Sequence, residues 1–186
     1  GELSCRDLTV TEVASILADN PSPSTPSAHS TLVTSEDAAL LDGRRLRFSS
    51  SVDPIIDLVK WAVAGQRIEP KIQFQDSLVS LTLAERRQLP AKAVQTIDMS
   101  TLKRALGRLT SGESVASKPS LIITVSFLTL SNTAARTALL AEASRQRALM
   151  TQAIIWEITD FEEGLPIGRL EECAVMLKPF CRSVFA

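Results

Sequence analysis

Two carboxylates near the end of a strongly apolar run are the residues of this chain best suited to chemistry. The run spans residues 153–160, with Glu157 inside it and Asp160 at its end. Apolar runs of this length between helical patterns are typical of buried parallel strands. A carboxylate on such a strand costs free energy unless it is paired or ligates a cation. Glu157 and Asp160 are therefore the first places to look for chemistry, and an ordinary ion pair with an arginine, or hydrogen bonds from backbone N–H groups, is the alternative for Glu157.

Residue types that are rare or absent exclude several kinds of catalysis. The single histidine, His29, lies in a segment rich in proline, serine and threonine, which is loop or linker composition. This excludes catalysis centred on histidine and histidine-rich metal sites. None of the 7 glycines forms a phosphate-binding loop, and there is no tyrosine. The three cysteines, Cys5, Cys173 and Cys181, lack metal-type spacing and are expected to be reduced thiols.

The overall composition is that of an ordinary globular protein. A length of 186 residues suits one domain, or one domain with a small extension. The net charge of −1 gives no bulk electrostatic reason to expect nucleic acid or an anionic membrane as a partner. No apolar run reaches the ~18–20 residues that a membrane span needs, and no signal peptide is visible. We therefore expect a cytoplasmic protein with no membrane span and no nucleic-acid partner.

The first part of the chain differs in composition from the rest. Residues 1–51 are predicted to form an N-terminal helical extension, with an amphipathic helix over 4–19 and a short helix over 34–41. A Pro/Ser linker over 20–31 separates these two helices. The basic cluster over 44–47 is expected to be a solvated face.

From residue 52 to 186 the pattern becomes that of one α/β domain. The predicted elements are a helix over 52–64, a strand over 68–74, a helical region over 83–109 with a break near Pro90, a strand over 121–127, a helix over 131–150 capped by Ser131 or Asn132, a strand over 153–159 and a helix over 166–180. This alternation predicts that the three strands are mutually parallel in one sheet, with right-handed crossovers.

Three short motifs follow one another in this α/β part. They are Ile97-Asp98 with Leu102, then Ile123-Thr124-Val125-Ser126, then Trp156-Glu157-Ile158-Thr159-Asp160. In order and spacing they resemble the EAL domain of bacterial cyclic-di-GMP phosphodiesterases, whose patterns are Ile-Asp-x-x-x-Leu, Asn-x-Ser and Glu-x-Thr-Glu. Residues 58–73 also resemble the family's lead-in helix and first strand. The resemblance implies that Glu157 matches a metal-binding glutamate, Thr124 the position of a metal-binding asparagine and Asp160 that of a loop-organising glutamate.

The chain departs from this family in the parts that catalysis needs. No Glu-Ala-Leu strand is found between Gln73 and Leu89, so the second strand is expected to be deleted. The nearest similar triplet, Ala84-Glu85-Arg86, fits the following helix better. The family's Asp-Asp-Phe-Gly motif, its lysine base and its final glutamate have no counterpart before the chain ends. One carboxylate cannot hold two hard divalent cations, each of which requires several oxygen ligands.

Length agrees with an incomplete barrel. A complete (β/α)8 barrel takes ~250 residues, and 135 remain from Val52 to the end (186 − 51). The expected fold class is therefore α/β, an incomplete (β/α) barrel-like parallel sheet with helices. An unclosed sheet exposes an edge and an apolar face, which we expect the N-terminal helices, a second copy of the chain in a homodimer or another protein partner to cover.

Together these features indicate a catalytically inactive EAL-like domain that acts as a protein-interaction or regulatory module in bacterial signalling, without a cofactor. Two alternatives stay open. The chain could be part of an active cyclic-di-GMP phosphodiesterase that uses Mg²⁺ or Mn²⁺, or of a cyclic-di-GMP receptor, with the remaining motifs outside this sequence. No arginine pair on a recognisable ligand loop supports the receptor.

Overall fold

The computed structural model describes residues 44–77, 79–110 and 120–186, which all belong to one compact unit. In chain order the elements are β1 (Leu46–Asp57), β2 (Ala62–Phe74), α1 (Leu83–Arg87), α2 (Ala91–Thr110), β3 (Ser120–Ser126), α3 (Phe127–Ser131), α4 (Thr133–Arg145), α5 (Arg147–Ala153), β4 (Ile154–Thr159), α6 (Ile167–Leu177), a 3₁₀ turn (Lys178–Phe180) and β5 (Ser183–Phe185).

The five strands form one mostly parallel sheet in the order β1-β2-β3-β4-β5. β1 and β2 are an antiparallel hairpin, whereas β2, β3, β4 and β5 run parallel to one another. The predicted strands 68–74, 121–127 and 153–159 correspond to parts of β2, β3 and β4. Their parallel arrangement in one sheet is confirmed, and so is the α/β class.

The helix predicted over residues 52–64 is wrong. These residues form the second half of β1, a turn and the start of β2. Asp57 fixes the turn, because its Oδ1 accepts hydrogen bonds from the backbone N–H groups of Val59 at 2.9 Å and Lys60 at 3.1 Å. Pro54 lies on β1, an edge strand that tolerates a residue without an N–H. Short apolar runs fit both helical and strand periods, and here the pairing with β2 decides between them.

The hairpin also changes the count of strands before the first helix. Two strands precede α1, where the sequence indicated only the strand over 68–74. The additional strand, β1, comes before that strand and is not the one expected to be deleted after Gln73. β1 begins at Leu46, ahead of the domain boundary expected between residues 51 and 52. Within the basic cluster, Arg44 stacks on the Phe74 ring at 3.6 Å and pairs with Asp76 at 3.2 Å.

The main core lies on one face of the sheet. Strand residues such as Ile68, Ile123 and Trp156 are fully buried there. They pack with residues from four helices, including Leu102, Leu139, Met150 and Leu177. Because successive side chains of a strand alternate between faces, the neighbouring residues point to the opposite face. In the described part of the chain several of those neighbours, among them Ile122 and Ile155, are only partly buried, whereas Thr124 and Ser126 are buried.

The remaining helices agree with the sequence, with local corrections. The predicted break near Pro90 separates α1 from α2, and Thr82 with Glu85 forms a capping box at the start of α1. The predicted helix over 131–150 is divided at Gln146, and Asn132 provides its N-terminal cap. The helix predicted over 166–180 ends at Leu177 and continues as a 3₁₀ turn. β5 was not predicted, because three residues are too few for a periodic signal.

Some predictions fall outside the described residues. These are the helix over 4–19, the linker over 20–31, the helix over 34–41, Cys5 and His29. Where the structure describes the chain, Cys173 and Cys181 are buried, unbridged thiols. In the same part, no helix is both long and apolar enough to cross a bilayer.

Candidate functional site

Glu157 and Thr124 lie side by side on the partly exposed face of the sheet. Thr124 of β3 is the register partner of Glu157 of β4, so their side chains share one face. Thr124 is nearly buried, with 9% of its surface exposed. The structure therefore brings together the two positions that the sequence singled out on adjacent strands.

A third side chain, which the sequence analysis did not single out, completes this cluster. Arg67 of β2 is the register partner of Ile122, two residues before Thr124, and therefore lies on the same face. Its Nη2 donates a hydrogen bond to Oε1 of Glu157 at 3.0 Å and lies 2.8 Å from Oε2. The pair spans β3, because its two members come from the strands on either side. Their side chains are 39% and 18% exposed, so the ion pair is partly shielded from water.

These residues do not fit a divalent metal ion. A guanidinium has no acceptor and is always charged, so it repels a cation from the carboxylate that it binds. At Thr124, where the family that the sequence resembles has a metal-binding asparagine, the hydroxyl is a weaker metal ligand than an amide oxygen. Within residues 44–77, 79–110 and 120–186, no three His, Cys, Asp or Glu side chains are grouped as a metal site requires. The ion pair of Glu157 is the alternative that the sequence analysis gave for this carboxylate.

Asp160 lies apart from this pair, immediately after β4. Its backbone has φ of 57°, a left-handed conformation in which aspartate is among the better tolerated residues. The side chain is exposed and accepts a hydrogen bond from the Thr159 hydroxyl at 3.3 Å. Asp160 thus ends the strand and starts the following loop.

A buried carboxylate, Asp98, lies at the same end of the parallel strands. It is 5% exposed and belongs to α2. Its Oδ2 accepts a hydrogen bond at 3.1 Å from the backbone N–H of Ser126, the last residue of β3. The hydroxyl of Ser126 in turn caps α3 by accepting from the N–H of Leu128. Asp98 therefore holds α2 against the point where β3 changes into a helix.

Burial raises the pKa of Asp98 to about 7. Loss of hydration disfavours the charged carboxylate, while Thr129 and the Ser126 N–H act in the opposite direction. The negative charge of Asp160 adds a smaller upward effect on this pKa. Near neutral pH the Asp98 carboxyl is therefore divided between its two protonation states.

The chemistry open to these groups is limited. Glu157 is neutralised by Arg67 and would have to leave that pair to act as a base or a ligand. Asp98 has a pKa suited to proton transfer, but it is buried and already hydrogen-bonded to backbone. The arrangement is that of structural polar contacts between strands and helices.

Sequence reasoning missed Arg67 and the role of Asp98. Arg67 directly precedes the buried Ile68 on β2, so the alternation of a strand points it to the opposite face. The strand order needed to place it opposite Glu157 was not visible, because the hairpin was assigned as a helix and a single strand. Asp98 was quoted as part of a motif, and its position among the buried residues of α2 was the available signal.

Comparisons with known proteins give matches to solved structures only. No family model matches the chain, and no curated protein matches it. One similar structure is the EAL enzyme Bd1971 in its cAMP-bound form, with 15% identity over 69% of this chain and a TM-score of 0.45. The cGMP-bound form has 17% identity and a TM-score of 0.39, and the form with cAMP and cyclic-di-GMP has 21% and 0.40. The chain spans 38% of the length of each of these structures.

Proposed function

We propose that this chain is a catalytically inactive EAL-like domain that serves as a protein-interaction or regulatory module in signalling. The observation that carries the proposal is the ion pair between Arg67 and Glu157, with Nη2 of Arg67 2.8 Å from Oε2 of Glu157. Glu157 is the residue whose motif position corresponds to a metal ligand in the family that the chain resembles.

The ion pair supports inactivity because it places a positive charge next to Glu157. A second carboxylate that shared a metal with Glu157 would have to come from another strand whose side chains reach Glu157 on the same face of the sheet. On β2 that place is held by the guanidinium of Arg67. A metal at Glu157 would therefore have to displace a charged, part-buried partner, which costs free energy on both sides of the pair. We propose accordingly that the domain works without Mg²⁺, Mn²⁺ or another cofactor.

The proposal includes a cytoplasmic location and a protein partner, which we take to be a second copy of the chain. The described sheet has β5 as one edge, where Phe185 is 43% exposed. Beside it, α6 exposes Ile167 and Val175 at 75% and 61%. Open strand edges with exposed apolar side chains favour association. A symmetric dimer is the commonest arrangement that covers such a surface.

The test of inactivity is incubation of the purified protein with cyclic-di-GMP and either Mg²⁺ or Mn²⁺, followed by chromatography of the nucleotides. We expect no metal-dependent hydrolysis by the wild-type chain. Metal-dependent turnover that disappears in Glu157→Ala would contradict the proposal, because it would show that Glu157 is a working ligand.

The test of self-association is light scattering over a dilution series. We expect a dimer that Val175→Glu dissociates, since this change places a charge on the exposed face of α6. Val79→Ser is the matched control, because Val79 is similarly exposed at 59% in the loop before α1. A wild-type chain that is monomeric at every concentration would contradict the dimer but not the inactivity.

A further inference from the structure

The tip of the β1–β2 hairpin exposes a cluster of large apolar side chains. Leu58 is 71% exposed, Val59 89%, Trp61 52% and Val63 46%. The first three belong to the turn itself, and Val63 follows at the start of β2. Clusters of exposed apolar side chains such as this one often mark interaction sites.

The backbone of this tip is held in one conformation. Asp57 accepts hydrogen bonds from two N–H groups of the turn and lies 3.9 Å from the ammonium of Lys60. Trp61 has φ of 51°, a left-handed conformation that is uncommon for a bulky aromatic residue. Local strain of this kind is typical of functional segments. These contacts of Asp57 support the turn that carries Leu58, Val59 and Trp61.

The tip projects beyond the neighbouring strand. Within the described residues, the pairing of β2 with β3 begins at Gly65, whose partner is Ser120, the first residue of β3. The residues before Gly65 therefore extend past the amino end of the parallel strands. At about 3.3 Å per residue, the strand residues before Gly65 carry the turn roughly 10 Å beyond it. The candidate site described above lies toward the carboxyl ends of these strands, away from the tip.

Arginines lie at the base of this projection. Arg108 donates to the side chain of Gln66 at 3.0 Å, next to Gly65. Arg182 donates to the side chain of Ser120 at 3.1 Å, and its backbone N–H binds the carbonyl of Ile154 at the amino end of β4. Both guanidinium groups are thus held at the amino ends of the strands, behind the apolar tip.

We propose that this hairpin tip docks onto an anionic lipid surface. Trp and apolar side chains with flanking cations are the composition of segments that enter the membrane interface. Segments of this kind bury their apolar residues ~5–10 Å into the boundary between headgroups and acyl chains. With roughly 10 Å between the start of β2 and Gly65, Arg108 and Arg182 then lie near the lipid phosphates, which are anions that guanidinium groups bind well. The net charge of −1 does not oppose this, because the cations are local to one edge.

The two tryptophans of the chain make the test direct. Trp61 is exposed and Trp156 is fully buried, so a change in emission on vesicle binding reports the tip. The full chain is titrated with vesicles of phosphatidylcholine and phosphatidylglycerol, and separately with phosphatidylcholine alone. We expect a blue shift with the anionic vesicles that is absent in Trp61→Phe, although this variant still cosediments with them.

Substitutions at the two ends of the parallel strands distinguish binding through the tip from nonspecific binding by exposed apolar side chains. Leu58→Ser with Val59→Ser is expected to weaken partitioning at least tenfold, since each change removes apolar area that the bilayer would bury. The double variant Leu128→Ser with Phe161→Ser is the matched control. These residues are 44% and 41% exposed and lie just after the carboxyl ends of β3 and β4, away from the tip. Arg182→Gln is expected to weaken binding to the anionic vesicles.

Several outcomes would overturn the proposal. One is the absence of any shift in Trp61 emission with anionic vesicles, which would leave a protein groove as the partner of the tip. A second is equal loss of binding in the tip and control variants. Equal binding to vesicles of phosphatidylcholine alone would contradict the role proposed for Arg108 and Arg182. None of these outcomes depends on whether the chain hydrolyses cyclic-di-GMP.

Discussion

The guanidinium of Arg67 reaches across β3 to bind the carboxylate of Glu157, with Nη2 at 2.8 Å from Oε2 and 3.0 Å from Oε1. One nitrogen thus contacts both carboxylate oxygens. The pair links β2 to β4 on the face of the sheet opposite the main core. It also accounts for a carboxylate on a strand that the sequence alone could assign either to a metal or to an ion pair.

A double-mutant cycle measures the strength of this pair. Arg67→Ala, Glu157→Ala and the double variant are unfolded in urea, and we expect a coupling free energy of about 1 kcal/mol. Partial burial favours this pair over an exposed one, while the remaining solvent exposure limits its strength. The control is Arg169 with Glu172, at 57% and 65% exposure, where coupling below about 0.5 kcal/mol is expected. Equal coupling in the two cycles would show that the Arg67 pair gains nothing from its position.

The raised pKa of Asp98 predicts a specific pH dependence of stability. The folded protein holds this proton up to about pH 7, whereas in the unfolded chain the carboxyl titrates near its ordinary value of 3.8. Stability from this group is therefore fully present below pH 3.8 and is lost as the pH rises toward 7, with a slope of at most about 1.4 kcal/mol per pH unit.

Asp98→Asn tests this dependence, because asparagine keeps an oxygen that can accept from the Ser126 N–H but does not titrate. We expect the free energy of unfolding of the wild type, relative to this variant, to fall between pH 4 and pH 7. Glu163→Gln, on an exposed loop, is the control and should keep the wild-type slope. Parallel curves for wild type and Asp98→Asn would contradict the raised pKa.

Two adjacent isoleucines test which face of the sheet forms the core. Ile123 is fully buried, whereas its neighbour Ile122 is only partly buried on the opposite face. Ile123→Ala is expected to lower the free energy of unfolding by about 2–5 kcal/mol, through lost burial and a cavity. Ile122→Ala should cost clearly less, and chemical denaturation of both variants measures the difference. The reverse order would mean that the faces have been assigned the wrong way round.

The backbone of Trp61 can be tested independently of any ligand. Asparagine is tolerated in the left-handed region better than a bulky aromatic residue. Trp61→Asn should therefore leave the stability about 1 kcal/mol higher than a β-branched substitution does, since both remove the half-exposed indole and only asparagine suits this φ. Trp61→Val should lower it, because a β-branched residue fits this conformation poorly. Thermal melts that rank the two variants in the opposite order would exclude strain at this position.

The parts of the fold that the sequence predicted share a physical reason. β3 and β4 are interior strands of the sheet, with a strand on either side. Their continuous apolar composition is typical of that buried position. α2 shows a helical stripe, and Pro90 marks its start. The helix predicted over 52–64 failed because the apolar residues near the turn are exposed and do not report a core. The spacing of these apolar residues therefore could not distinguish a helix from a strand.

The site was predictable only in part, because an ion pair between strands depends on strand order. Glu157 and Thr124 were identified by their motif positions, and the register of β3 with β4 brings them together. Arg67 could be placed only after β2 was known to neighbour β3. The pKa of Asp98 likewise depends on the burial that tertiary packing imposes.

Binding of Mn²⁺ at Glu157, followed by the electron paramagnetic resonance signal of the free ion, is the most direct test of the central claim. If Arg67 occupies the carboxylate, wild-type protein and Glu157→Gln should leave the same amount of Mn²⁺ free throughout a titration. Stoichiometric binding of Mn²⁺ by the wild type that Glu157→Gln abolishes would contradict the claim, because Glu157 would then be a metal ligand despite its arginine partner.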